Sequence, residues 1–247
     1  MKQRKISPNQ SSGSGIDDAE IAQFNAFAAD WWDPNGKMAP LHKMNPVRLG
    51  YVVEKIKSHF NSLNKLSVLD IGCGGGLVSE PLARLGLTVT GIDGAKELIA
   101  VAQAHAKQQK LPITYSNELT TDQIAKKKRY DVVLALEVIE HVPNPAEFVA
   151  EIAQLVKPGG LVIFSTLNRT ASSFAFGIVA AEYVLRWLPA GTHHWNKFIK
   201  PSELFHLCEA GELTPQETMG LVYHPARDEF ALDAHKLDVN YFLTATP

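Results

Sequence analysis

From Leu66 onward, short apolar runs alternate with stretches whose apolar residues recur at helical spacing. "LSVLDI" predicts a first strand, and "LVSEPLARLG" a short amphipathic helix that stops at Gly86. "LTVTGID", rich in β-branched residues, predicts a second strand. "AKELIAVAQAHAKQQ" places Leu98, Val101, Ala102 and His105 on one helical face. "PITYS" reads as a third strand and "YDVVLAL" as a fourth, apolar throughout as a strand covered on both faces should be. "PAEFVAEIAQLVKPGG" predicts a helix ended by Pro158 and the glycines after it, and "LVIFST" a fifth strand. The tail from "TPQETMGLVYHP" through "VNYFLTATP" alternates well enough for two closing strands.

Such alternation implies crossover connections, a parallel sheet and helices on both faces. The expected fold is therefore α/β, doubly wound, with a mostly parallel seven-stranded sheet. A ligand would bind outside the carboxyl ends of the strands. Residues 17–50, with "FNAFAADWWDPNG" and "PLHKMNPVRLGYV", precede the first strand, and residues 168–200 interrupt the pattern after the fifth. They read as an N-terminal helical extension and an insertion.

Composition narrows the function classes. The 247 residues are 45% hydrophobic and 20% charged, with a net charge of −2, which argues against general nucleic-acid binding. Cys73 and Cys208 are the only cysteines, so no disulfide framework is implied. No charge-free apolar run reaches transmembrane length. The opening "MKQRKISPNQSSGSGIDD" lacks the apolar centre of a secretory signal, and residues 1–16 are expected to form a disordered tail. Asp17 and Asp18 come early for a transit peptide.

Four of the five positions from Gly72 to Gly76 are glycine, directly after the first strand. A dinucleotide fingerprint would need its third glycine at position 77, which is Leu77, and a phosphate loop would need a Lys-Ser or Lys-Thr pair, which is missing. The pattern is instead D-x-G-x-G-x-G from Asp70 to Gly76. It allows close backbone approach by an amino-acid moiety and a ribose, with no pyrophosphate to cradle. Asp93, at the end of the second strand, stands where a carboxylate accepts hydrogen bonds from ribose hydroxyls; a helix cap ahead of "AKELI" is compatible with that role.

"VLDIGCGGG", "VTGID", "YDVVLALEVIEHV" and "LVKPGGLVIFSTLNR" together resemble the class I S-adenosylmethionine-dependent methyltransferases, over about residues 66–169. "FNAFAADWWDPNGKMAPLHKMNPVRLGYV", "STLNRT", "AAEYVLRWLPAGTHHWNKFIKPSEL" and "VNYFLTA" are similar to the ubiquinone-biosynthesis O-methyltransferase family, from about Ile21 to Thr244. That resemblance implies one methyltransferase domain over 17–247: an N-terminal helical cap at 17–60, a cofactor-binding core at 66–169 and a substrate- and membrane-facing insertion at 170–200. It implies methylation of catechol-type hydroxyls on polyprenylated ubiquinone precursors, 2-polyprenyl-6-hydroxyphenol and 3-demethylubiquinol, with S-adenosyl-L-methionine as donor.

Methyl transfer from a sulfonium to a phenol oxygen is an in-line displacement, and a free phenol has a pKa of about 10, so a base or a metal helps remove its proton. Glu137, Glu140 and His141 in "LEVIEHV" lie at i, i+3 and i+4 and would share a face if the chain turned helical there. Such a trio can hold a divalent cation, or the acids can cap a helix and order the cofactor loop; the resemblance implies a magnesium site of Glu137, Glu140 and His141. His141 and Glu140 are the candidate catalytic residues. Arginine matches a carboxylate with two parallel hydrogen bonds, and by its family position Arg48 would meet the donor's carboxylate, the alternative being a surface arginine; Gly72, Gly74, Asp93 and Leu136 would complete the cofactor site. Cys73 reads as a space-filling side chain. Trp31 and Trp32 are either a lid over the cofactor or core aromatics, and His193 a substrate contact or a loop-ordering residue.

Between Phe174 and Leu188 only Glu182 and Arg186 are charged, too short a run to span a bilayer but suited to lie in its interface. The expected partners are the polyprenylated catechol or quinol, the membrane surface through residues 174–188 and other ubiquinone-biosynthesis proteins, with no nucleic acid. The expected location is cytoplasmic, peripheral at the inner face of the membrane, or alternatively the matrix side of the mitochondrial inner membrane. A different small acceptor, a non-catalytic lipid-binding role and a nicotinamide-dependent reductase are the competing readings.

Overall fold

A computed structural model describes residues 18–25, 27–174 and 195–247. One eight-stranded sheet runs in the order β3-β2-β1-β4-β5-β8-β6-β7. Its strands are β1 (Ser67–Ile71), β2 (Thr88–Ile92), β3 (Thr114–Ser116), β4 (Tyr130–Leu136), β5 (Val156–Leu167), β6 (Thr214–His224), β7 (Glu229–Asp233) and β8 (Asn240–Thr246). The first five pair in parallel, and β8 lies antiparallel between β5 and β6. The doubly wound α/β expectation holds. Beyond the seven expected strands, β7 adds an edge hairpin to β6, pairing Gly220 with Asp233 and His224 with Glu229. "EFALD" is short and ends in acids on both sides, so periodicity alone does not mark it as a strand.

Side-chain alternation along the strands sorts the core into two layers. On one face Val133 and Ala135 of β4, with Val162 and Phe164 of β5 and Tyr241 and Leu243 of β8, meet α6 (Pro145–Leu155) and α8 (Pro201–Ala210). On the other, Val132 and Leu134, with Ile163 and Phe242, meet Tyr51, Val52 and Ile56 of α2 (Ala39–Phe60) and Leu82 of α3 (Ser79–Arg84). Pro40 stands in the first turn of α2, where its missing N–H is not needed, and Asn61 closes that helix in a left-handed conformation, φ 57°. Cys208 is buried in the first layer and Cys73 in the glycine turn, which suits the space-filling role expected of Cys73.

The helix expected to run on to Pro158 ends sooner. α6 stops at Leu155, and residues 156–160 already belong to β5. Val156 pairs with Tyr130, and the register shifts between Tyr130 and Val132. Pairing with β4 takes over where Pro158 would have broken the helix.

The remaining helices are α1 (Asp18–Asn25), α4 (Lys96–Gln108), α5 (Thr120–Ala125) and the turn α7 (Ala171–Ser173). Apart from Phe174, the segment 174–188 lies outside the described residues, as does His193. Among the described residues no helix is long and apolar enough to cross a membrane.

Candidate active site

The glycine turn follows β1 at the carboxyl end of the sheet, and the main chain itself ties it there. Gly72 and Cys73 donate to Ile92 O at 2.8 and 3.1 Å. Gly74 N donates to Asp93 Oδ2 at 2.9 Å, and Ala95 N to Asp93 Oδ1 at 2.7 Å. Asp93 thus clamps the turn to the approach of α4, and Asn117 Nδ2 holds the Asp93 carbonyl at 2.8 Å. Burial raises the Asp93 pKa, while the two backbone amides counter it. Each carboxylate oxygen keeps a free lone pair, so the clamp leaves acceptor capacity for a ribose.

What comes close to these glycines is first of all the chain's own side chains. Gly72, Gly74 and Gly76 have φ of 66°, 53° and 96°, a region L side chains rarely occupy. A Cβ on Gly72 would lie 2.4 Å from Val138, one on Gly74 or on Gly75 2.3 Å from the Trp31 ring, and one on Gly76 2.3 Å from the Tyr115 hydroxyl. Trp31 is 7% exposed, in a cluster with Phe27, Met38, Leu77 and Leu98. Its carbonyl receives His42 Nε2 at 2.8 Å. Trp32 instead stacks on His105, with centroids 3.7 Å apart, and His105 Nδ1 lies 2.6 Å from Glu80. Beside the turn lies a small cleft whose lining includes Gly72, Asp93, Gly94, Leu119, Val138 and Phe148.

Arg48 is buried, 5% exposed, on the sheet side of α2. Its Nη2 donates to Asn45 Oδ1 at 3.1 Å, and Asn45 Nδ2 donates to Leu77 O just past the glycines at 2.8 Å. Burial lowers the Arg48 pKa, and the charges of Glu137 and Asp70 oppose that shift. Asp70 is held by Ser79 Oγ at 2.6 Å. Burial pushes its pKa from 3.8 up to about 6, against the pull of Ser79 and Arg48.

At the end of β4 the chain does not turn into an α-helix. Leu136 is buried in register with Ser165 of β5. Glu137 takes a left-handed φ of 57°, and a single 3-10 turn follows at Ile139–His141. The helical premise of the i, i+3, i+4 spacing is therefore corrected: a left-handed residue and one 3-10 turn stand where a helix was expected. Glu137 Oε1 accepts from Ser165 Oγ at 2.7 Å and Asn240 Nδ2 at 3.1 Å. Glu140, 3% exposed, accepts from Thr166 Oγ1 at 2.9 Å on one oxygen, while Oε1 has no hydrogen-bond partner. Burial raises its pKa well above the usual carboxylate range, and the Glu137 charge adds to the rise. His141 is partly exposed and meets the Phe24 ring edge-on at 5.2 Å. Among the described residues no group of three or more His, Cys, Asp or Glu side chains converges as a metal cage. Two acids are brought together; the histidine is not.

Sequence reasoning assigned no role to Ser165, Thr166 or Asn240. They stand inside "FSTLN" and "VNYFL", read as strands and for their family likeness; the β4–β5 pairing brings Ser165 and Thr166 to the acids, and the β5–β8 pairing brings Asn240.

A glycine turn clamped by an acid at the end of the next strand, on a parallel sheet extended by antiparallel C-terminal strands, is the architecture of a class I methyltransferase. The family model for a methyltransferase domain matches residues 49–217. A crystal structure of magnesium protoporphyrin IX methyltransferase from Synechocystis with bound S-adenosylhomocysteine has the same fold, with a TM-score of 0.65 at 19% identity, covering 93% of this chain and 99% of that one. Ubiquinone biosynthesis O-methyltransferase of Cereibacter sphaeroides is 48% identical over 238 residues, covering 94% of this chain and 96% of its own. The protein of that name from Bradyrhizobium diazoefficiens is 47% identical over 250 residues, covering 98% of each. The chain belongs to the ubiquinone biosynthesis O-methyltransferase family, whose methyl donor is S-adenosylmethionine.

Proposed function

We propose that the chain methylates catechol-type hydroxyls of polyprenylated ubiquinone precursors, 2-polyprenyl-6-hydroxyphenol and 3-demethylubiquinol. The observation that carries this reading is the placement of a glycine turn and an acid pair, partly buried Glu137 and buried Glu140, at the carboxyl ends of adjacent strands β1 and β4. Near-half identity to the family over almost the whole chain supports it. In this reading Gly72, Gly74, Asp93, Leu136 and Arg48 grip the donor: Asp93 takes the ribose hydroxyls, and Arg48 faces the methionine carboxylate. The phenol oxygen attacks the sulfonium methyl, an O–CH3 bond forms as the S–CH3 bond breaks, and S-adenosylhomocysteine leaves. The phenolic proton passes to His141, and Glu140 is the buried acid beside Glu137. Alignment of donor and acceptor supplies the larger share of catalysis.

Magnesium is the finer part of the proposal. The orphaned Glu140 Oε1 beside Glu137 suits a cation that prefers oxygen. His141 is set against Phe24, and among the described residues no three such side chains converge as a cage. When bound, the cation would acidify a catechol hydroxyl, held by Glu137 and Glu140 with His141 as the third candidate ligand. The membrane surface is the proposed source of the acceptor, reached through residues 174–188 at the cytoplasmic face, and other ubiquinone-biosynthesis proteins are the proposed neighbours there.

A methyl-labelled donor and a short-tailed demethylubiquinol test the reading. Labelled product is the expected result. Donor binding without transfer to any catechol would reject the acceptor, and transfer indifferent to magnesium and to chelator would reject the metal alone.

A further inference from the structure

We infer that the Trp31 indole N–H is a hydrogen-bond donor to the carboxylate of the methyl donor, acting beside Arg48. This rests on the donor lying along the glycine turn, as set out above. Three buried polar atoms on the N-terminal segment have no hydrogen-bond partner, Trp31 Nε1, Trp32 Nε1 and Arg48 Nε; Trp32 stacks on His105 away from the glycines, which leaves Trp31 and Arg48 at the turn. Both residues are more than nine-tenths buried, at 7% and 5% exposure. The indole lies flat along the turn: a Cβ built on Gly75 would stand 2.6 Å from Nε1, and one on Gly74 2.3 Å from Cζ2. Arg48 is tied to the same turn through Asn45, whose amide holds Leu77 O at 2.8 Å.

Indole N–H and guanidinium are donors only, so neither can satisfy the other. Buried donors left unpaired are costly, and native structures rarely keep them without a reason. Both call for an acceptor, and a carboxylate is an acceptor only. The methionine end of S-adenosylmethionine carries one, whereas its adenosine end belongs with Asp93. The neighbouring acids are no partners of these two atoms: Asp93 accepts from Gly74 and Ala95, Asp70 from Ser79, and Glu137 from Ser165 and Asn240. The backbone carbonyl of Trp31 is fixed by His42, which holds the indole in place before any ligand arrives. Trp31 is thus both the filler that requires glycine at positions 74 and 75 and a recognition group for the amino-acid end of the donor.

The test compares S-adenosylhomocysteine with 5′-methylthioadenosine, which keeps the nucleoside and lacks the carboxylate. Calorimetry on the full chain is expected to show Trp31→Phe weakening S-adenosylhomocysteine by about tenfold, the size of one hydrogen bond to a charged group, with methylthioadenosine unchanged. Undiminished S-adenosylhomocysteine affinity in that variant, or equal weakening of both ligands, would overturn the inference. A second measurement needs no substitution. The Trp31 indole proton in the wild-type NMR spectrum is expected to move downfield with S-adenosylhomocysteine and not with methylthioadenosine; movement with both, or with neither, counts against it. Wild-type protein that failed to bind S-adenosylhomocysteine at all would instead defeat the placement of the donor.

Discussion

The two halves of the candidate site are built on opposite principles. The turn after β1 is defined by side chains that are missing: its glycines leave room for Trp31, Tyr115 and Val138, and its polar contacts are largely backbone. The end of β4 is defined by side chains that are present, with Glu137 and Glu140 met by Ser165, Thr166 and Asn240 from neighbouring strands. One half fails through steric crowding and the other through lost partners.

The largest expected effect falls on the turn. Gly74→Ala adds a Cβ 2.3 Å from the Trp31 ring at a φ of 53°. Overpacking and left-handed strain together should cost about 3 kcal/mol or more, read by urea denaturation. In a Trp31→Ala background the steric share, about 1–3 kcal/mol, should vanish while the backbone share remains. A purely additive double-mutant cycle would mean that Trp31 does not dictate the glycine.

An intermediate effect distinguishes Asp70, which lies behind both halves. Burial raises its folded pKa from 3.8 to about 6, so it is neutral in both states below about pH 4. As pH rises through the folded value, the native state must ionise a buried acid, and stability falls. Asp70→Asn should remove a loss on the order of 2 kcal/mol between about pH 4 and 6, visible as a flatter profile of urea midpoints. A slope equal to wild type would contradict the buried placement. Glu140 and Asp93, also raised, contribute with the same sign and stay in both proteins.

The smallest effect compares the two acids. Glu137→Ala leaves the Ser165 and Asn240 donors without their acceptor and should cost about 1–3 kcal/mol. Glu140→Ala leaves only Thr166 bare and removes a carboxyl that burial already opposes. Its cost should be lower by about 1 kcal/mol in the same denaturation series. Equal costs would put the two acids in equivalent surroundings, against the contacts described.

These differences also mark how far the sequence could be read. Local patterns carry β1 to β5, the left-handed glycines and Asp93, because strand periodicity, turn chemistry and the strand-end acid all act within a short window. Family likeness singles out Arg48 as a donor contact, whereas its burial near Asp70 and Glu137 has no mark in the local sequence. The acid end was misjudged in shape, since one left-handed residue at Glu137 replaces the helical spacing that would have aligned His141. Ser165 and Thr166 depend on β4–β5 register and Asn240 on β5–β8 register, both of them long-range. Trp31 was left between lid and core, and it is packed as core against the very turn a lid would cover. Edge strand β7 escaped because its short run is bounded by acids.

The most direct measurement is a crystal structure of the full chain with S-adenosylhomocysteine bound. The expected result places the ribose hydroxyls on the Asp93 carboxylate, the nucleoside in the cleft beside Leu119 and Val138, and the amino-acid end along Gly72 and Gly74. A nucleoside bound elsewhere, or an Asp93 carboxylate turned away from the sugar, would contradict the account.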